Sequence, residues 1–324
     1  MHSISDYNQI IEKELEKISL SGNPPSLYEP VKYMMGLGGK RIRPVFTLLA
    51  NELFEGDLQA AIKPALAMEM FHNFTLVHDD ILDRSALRRG SPTVHKKWNE
   101  ETAILSGDVM LVLAYELLND ISTEKLPCIL NVFNTTAKKV CEGQQLDMMY
   151  ESTDEVSLDE YIEMIGKKTA ALFAGSLKIG ALLAGSGIED ADNLYLFGHY
   201  AGIAFQVQDD LLDAYGEAGQ WGKTKGGDIV SNKKTFLAIK ALELAEGDAL
   251  RELKNLARNK EMDSEKKIFQ TISVFNSLSI KKISEETRDM YFNMALDCLQ
   301  KIKVNDARKE NLRKIAGALI NREW

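Results

Sequence analysis

The chain has 324 residues, 45% hydrophobic and 27% charged, enough for a large buried core and ordinary for a globular protein. A net charge of −9 argues against a general nucleic-acid binder, which needs a basic face, but leaves room for a locally basic pocket that takes a small anion. The longest apolar run, residues 109–118, is too short to span a bilayer and contains Glu116, so stable membrane insertion is not expected.

Taken in chain order, the apolar positions recur at helical spacing. Ile10, Ile11, Leu15 and Ile18 form a stripe separated by Glu and Lys. Pro44 suits the first turn of a helix over residues 44–54. Residues 60–82, with Pro64 near the start, read as a long helix that is apolar on most sides and therefore buried. Residues 101–118, 128–150, 158–184, 190–215 and 235–257 read similarly, and 284–299 and 307–320 close the chain. Residues 255–267 are densely charged and are expected to be an exposed connection or helix face. The seven prolines are expected near helix ends. Period-two runs and Asn-Gly or Asp-Gly hairpin turns are missing, as is any linker rich in Gly, Ser or Pro. The expectation is one all-α domain over residues 1–324. The N-terminus lacks the pattern of a secretory signal. Cys128, Cys141 and Cys298 are odd in number, far apart and without a Cys-x-x-Cys pair, so a reducing, cytoplasmic location is expected.

Two segments share the form Asp-Asp-x-x-Asp: Asp79-Asp80-Ile81-Leu82-Asp83 and Asp209-Asp210-Leu211-Leu212-Asp213. Positions i and i+4 share a helix face, so Asp79 points with Asp83 and Asp209 with Asp213. Like charges at this spacing destabilise a helix and call for a cation. Carboxylate oxygens in small number suit Mg2+, which keeps several waters and shares substrate phosphate oxygens. One such segment alone would more often be a solvated helix end; two after apolar helices favour metal sites.

Basic residues stand near these acids. Arg84-Ser85-Ala86-Leu87-Arg88-Arg89-Gly90 follows the first segment, and guanidinium groups grip phosphate as a fork. Gly38-Gly39-Lys40-Arg41-Ile42-Arg43-Pro44 is a glycine-rich turn that feeds a helix start, offering amides to an anion. Lys168 precedes Thr169, while Gly222-Lys223 and Gly226-Gly227-Asp228 with Lys233 follow the second segment. His72 lies seven residues, two helical turns, before Asp79 and so on nearly the same face.

These motifs, in this order from about Tyr33 to about Thr235, resemble those of the trans-isoprenyl diphosphate synthases, or polyprenyl synthetases. The resemblance implies a helical bundle around a deep central cavity, usually in a homodimer, with three magnesium ions bridging the aspartates to an allylic diphosphate. By motif position it implies that Asp79, Asp83 and Asp209 hold metal, with Asp80, Asp210 and Asp213 in support; Asp213 is also a candidate ligand. It implies that Arg88, Lys168 and Lys233 grip the allylic diphosphate, with Lys223 nearby. Gly39, Lys40, Arg43, His72 and Arg89 would hold isopentenyl diphosphate, and Arg322 would close over that site. Thr169 and Gln206 would turn oxygen dipoles towards the allylic cation; ordinary helix packing is their alternative role. Terpene cyclases and squalene-type synthases differ in their second metal motif or in motif spacing. A non-catalytic regulatory subunit would tend to lose aspartates that are all present here.

The helix before Asp79 carries Phe71, Phe74 and Thr75. In the family a bulky residue about five positions before the first aspartate acts as a floor for the growing tail. Phe74 then implies a short product, C15 or C20, with Met110 or Leu111 as further candidates and core packing as the alternative reading; a longer-chain synthase is the second alternative.

Overall fold

The computed structural model describes residues 1–216, 226–259 and 261–321. The chain runs α1 (Ile4–Leu15), α2 (Pro25–Gly36), α3 (Ile42–Leu53) and α4 (Leu58–Leu82). A two-residue hairpin, β1 (Leu87–Arg88) with β2 (Ser91–Pro92), leads to α5 (Val94–Lys97), α6 (Glu100–Glu116), α7 (Leu126–Glu151) and α8 (Leu158–Ile165). A π-helical turn, Gly166–Ala170, joins α8 to α9 (Ala171–Ala184). There follow α10 (Ile188–Tyr215), α11 (Gly227–Val230), α12 (Phe236–Leu244), α13 (Gly247–Arg258), α14 (Ser264–Ser277), α15 (Ile280–Lys301), a 3₁₀ turn (Asp306–Lys309) and α16 (Glu310–Asn321). The fold is all-α, as the 3.6-residue periodicity requires.

Three features differ from the sequence reading. The helix expected over residues 235–257 is two helices: Ala245 is extended, with ψ 133°, and Gly247 has φ +56°, so the i→i−4 ladder is broken between them. Pro30 sits inside α2 rather than near its end. A small hairpin follows α4, reversing at Arg89 (φ 53°) and Gly90 (φ 76°), both left-handed.

The apolar side chains form two clusters. The larger gathers residues of α1–α4, α6, α7 and α9; the smaller lies among α8, α12 and α14. α10 belongs to both: Leu194 and Phe197 enter the larger cluster, while Val207 and Leu211 enter the smaller. α3 and α9 pack so closely that a Cβ on Gly180 would stand 2.1 Å from the Thr47 carbonyl oxygen. The C-terminal ends of α4 and α10 are thus fixed by packing, and both acidic segments sit on those ends.

Candidate active site

Asp79 and Asp80 occupy the last turn of α4 and Asp83 caps it; Asp209, Asp210 and Asp213 fall in the last two turns of α10. A helix C-terminus carries partial negative charge, which makes it the less favourable end for acids. Three aspartates at each of two such ends therefore need positive partners. Burial, then crowding by Asp83 and Asp80, pushes the Asp79 carboxyl up to about 6 against the pull of Lys168 and Arg88. Asp79 and Asp209 are half-exposed and Asp83 is exposed.

The middle aspartates face inward. Asp80 is 1% exposed and accepts from Arg88 Nη2 at 2.5 Å and Nε at 3.0 Å. Asp210 is 4% exposed and accepts from the Tyr161 hydroxyl at 2.5 Å, the Phe236 amide at 2.8 Å and Gln206 Nε2 at 3.1 Å. Its burial pushes the carboxyl up to about 7, and the Tyr161 and Phe236 hydrogen bonds oppose that rise. Asp213 is buried; its Oδ2 accepts from the Asp228 amide at 3.0 Å, and its backbone carbonyl from the Gly226 amide at 2.8 Å.

Lys168 and Thr169 lie in the π-helical turn, an irregularity that tends to occur at functional positions. Lys168 Nζ pairs with Asp147 of α7, and the Thr169 hydroxyl donates to Gln206 Oε1 at 3.1 Å. α7 approaches through Gly143, where a Cβ would stand 2.2 Å from the Lys168 amide nitrogen. Burial works against the charge of Lys233, yet Asp147, Asp228, Asp210 and Asp83 together hold its ammonium above the ordinary lysine range. One lysine thus feels an acid from each of the two segments, which places the ends of α4 and α10 across a shared space.

The second cluster is cationic. Arg43 enters at the second residue of α3, and Arg89 comes from the hairpin, its Nη1 donating to the Gly38 carbonyl. Gly39 has φ +133°, and a Cβ there would stand 2.8 Å from the Arg89 guanidinium. The backbone conformation is what calls for glycine there. Burial pushes the Arg43 guanidinium down to about 10, with Glu69 opposing and Arg89 adding to the fall. Its Nε is enclosed without a hydrogen-bond partner among the described residues. Burial and the neighbouring Arg43, Arg89, Arg88 and Arg41 hold His72 well below the ordinary imidazole range. A buried donor lacking a partner, among several guanidinium groups, is suited to an anion. Lys40 is exposed in the same turn. Arg41, from the same motif, turns away: it is 4% exposed and donates to Glu69, Glu12 and the Met35 carbonyl, each at 2.8 Å.

Phe74 is 9% exposed and Phe71 1%. Their rings lie 5.6 Å apart; Phe71 continues to Phe133 at 5.5 Å and Phe133 to Tyr115 at 5.0 Å. The Thr75 hydroxyl donates to the His72 carbonyl at 2.8 Å. Met110 is fully buried and Leu111 half-buried. Lys223 and Arg322 lie outside the described residues.

Sequence reading passed over Asp147, Tyr161 and Glu69. Tyr161 stands seven residues before Lys168 on an apolar stripe, and Asp147 and Glu69 interrupt otherwise apolar helix faces. A polar group on a buried face is the signal each of them carries.

No group of three His, Cys, Asp or Glu side chains among the described residues is arranged to hold a metal by itself. The donor set at the two helix ends is nonetheless all carboxylate, which suits a hard cation.

Residues 24–274 match the polyprenyl synthetase family. A geranylgeranyl pyrophosphate synthase of Geoglobus acetivorans is 37% identical over 323 residues, covering 99% of this chain and 98% of that protein. A crystal structure of a geranylgeranyl pyrophosphate synthase superposes with TM-score 0.95 at 37% identity, covering 100% of both chains. The geranylgeranyl pyrophosphate synthase of Corynebacterium glutamicum, complexed with isoprenyl diphosphate and magnesium, superposes with TM-score 0.84 at 28% identity, covering 99% of this chain and 98% of that one.

Proposed function

The chain belongs to the polyprenyl synthetase family and is a short-chain trans-prenyltransferase; on that premise we propose that it condenses isopentenyl diphosphate with dimethylallyl, geranyl or farnesyl diphosphate to give a C15 or C20 product. The carrying observation is the presence of six aspartates at the C-terminal ends of two packed helices, with Lys233 feeling Asp83 and Asp210, one from each segment, and a separate guanidinium cluster around His72. Two anionic substrates need two such sites.

Asp79, Asp83 and Asp209, with Asp213 beside them, would hold magnesium, which when bound draws charge from the departing diphosphate. Arg88, Lys168 and Lys233, with Lys223, are suited to grip the same leaving group as its charge grows. Arg43, Arg89 and His72, with Lys40 and the Gly39 turn, would orient isopentenyl diphosphate so that its double bond meets the allylic carbon. The carbon–oxygen bond of the primer breaks, the new carbon–carbon bond forms, and a proton leaves to the released diphosphate. Thr169 and Gln206 present oxygen atoms to the allylic cation. Phe74, backed by Phe71 and Phe133, is the proposed floor for the tail.

We read residues 1–324 as one catalytic domain, since α10 belongs to both apolar clusters. No described helix is long and apolar enough to cross a membrane, and a cytoplasmic location is part of the proposal. A homodimer is proposed on α6, where Ile104, Leu105, Val112 and Tyr115 are exposed, and on α7, where Met148 and Met149 are. Incubating the purified chain with magnesium, radiolabelled isopentenyl diphosphate and each primer, then sizing the dephosphorylated products, tests the reading. Absence of C15 and C20 products with all three primers overturns it.

A further inference from the structure

Gln206 is held from behind. Its Nε2 donates to Asp210 Oδ1 at 3.1 Å, and its Oε1 accepts from the Thr169 hydroxyl at 3.1 Å. A primary amide has one donating and one accepting end, so this pairing fixes its orientation. Flipping the amide would set its carbonyl oxygen against a carboxylate oxygen and leave a buried acceptor unsatisfied. Thr169, having donated its proton, presents lone pairs. Both residues are half-exposed, whereas Tyr161 and Asp210 behind them are 2% and 4% exposed.

Asp210 keeps this setting because its other oxygen is occupied. Oδ2 accepts from the Phe236 amide at 2.8 Å and from the Tyr161 hydroxyl at 2.5 Å. The backbone donor comes with any residue but proline at 236; the phenol depends on tyrosine at 161. The Tyr161 ring is itself set edge-on to Phe236, with centroids 6.4 Å apart, so the hydroxyl is aimed by packing. The donations converge on Asp210 of α10, from Tyr161 of α8 on one side and from Thr169 of the π-helical turn through Gln206 on the other.

We propose that Tyr161 is a positioning residue for the condensation: by donating to Asp210 it fixes the Gln206 amide so that the Gln206 carbonyl oxygen and the Thr169 lone pairs face the allylic cation. This rests on the roles given above to Thr169 and Gln206. Removing the phenol hydroxyl leaves the carboxylate with one donor fewer on Oδ2 and lets it turn, which frees the amide to flip. An NH2 group facing a developing cation is repulsive where an oxygen was attractive.

Single-turnover condensation of geranyl diphosphate with excess enzyme tests this. Tyr161→Phe is expected to slow the chemical step by about 10- to 100-fold, the scale of a small misplacement of a reacting group, with KM for both diphosphates within about twofold of the parent. The rate constant of the single exponential reads only folded molecules, so partial misfolding does not hide the result. In a Gln206→Leu background, Tyr161→Phe is expected to add less than about twofold, because the group it acts through is gone. A Tyr161→Phe rate within about twofold of the parent, while Gln206→Leu is slow, overturns this inference and leaves the proposed function standing. Multiplying effects in the double variant overturn it too, as would a matched rise in KM for both substrates. A parent chain that makes no product overturns the proposed function and this inference with it.

Discussion

Asp80 and Asp210 hold the same place in two segments of identical form, and both are buried, yet they are balanced by different chemistry. Asp80 faces a full charge: the Arg88 guanidinium bonds it through Nη2 and Nε, at 2.5 and 3.0 Å. Asp210 faces neutral donors: a phenol, a backbone amide and a side-chain amide. An arginine that spends two donors on a carboxylate still has others to offer, and the Arg88 side chain is 30% exposed, so the first segment leaves a cation open to solvent. The second segment turns its buried charge into an ordered set of dipoles. The source of the partners differs as well. Arg88 follows Asp80 by eight residues on a local hairpin, whereas Tyr161 and Phe236 lie 49 and 26 residues from Asp210. A repeated motif therefore does not mean a repeated role; the environment of its middle residue assigns one.

The largest expected effect is common to both segments. Asp79→Ala and Asp209→Ala should each lower condensation by about 10³-fold at saturating magnesium, measured by incorporation of labelled isopentenyl diphosphate. Near-normal turnover in either variant would break the symmetry of their outer aspartates. Next comes the contrast between the middle ones. Arg88→Ala leaves the Asp80 charge buried and alone and should cost about 3 kcal/mol in urea unfolding, while Tyr161→Phe removes one hydrogen bond to a carboxylate and should cost about 1–2 kcal/mol. Equal losses would erase the distinction between ionic and neutral support.

Phe74→Ala removes the ring proposed as the floor, next to the Phe71–Phe133 pair, and should lengthen the product by one or more isoprene units, with a stability loss of about 3 kcal/mol. Mass spectrometry showing an unchanged product would move the floor elsewhere, and Phe71 is the next ring in line. The smallest effect concerns the burial of the Asp79 carboxyl. Its carboxyl lies at about 6 in the folded chain, against 3.8 ordinarily, so the folded state holds that proton more tightly than the unfolded state does. The resulting stabilisation is fully present below about pH 4 and is lost as pH rises through 6. Asp79→Asn has no such loss. Without magnesium it should therefore unfold at higher urea than the parent at pH 8, by about 1–2 kcal/mol, the gap opening between pH 4 and 6. A parent more stable than the variant at pH 8 would show that the buried Asp79 carboxylate carries no such cost.

Much of this was legible in the sequence because it is local. The period of the apolar residues set the helices. The two acidic segments at helix ends were visible as such, and the nearness of Arg88 and Arg89 to the first followed from a short connection; Asp213, expected to point with Asp209, is instead buried as Asp210 is, while Asp209 is half-exposed. Other features depended on who meets whom across the bundle. Arg41 and Arg43 look alike in Gly-Gly-Lys-Arg-Ile-Arg, but a left-handed φ of 47° at Arg41 turns it inward to Glu69 and Glu12, while Arg43 joins His72 and Arg89. Asp147 and Tyr161 could be seen as polar residues on buried faces, but their partners could not be named. The break at residues 245–247 escaped a periodicity that runs through it with hardly a change of phase. Spacing along one helix fixes direction, so helices ending in crowded carboxylates near guanidinium groups could be read from residue order alone. Which carboxylates face outward and which are locked within depended on the packed bundle. A buried charge must find its donors wherever packing brings them, and packing joins residues that the chain keeps dozens of positions apart.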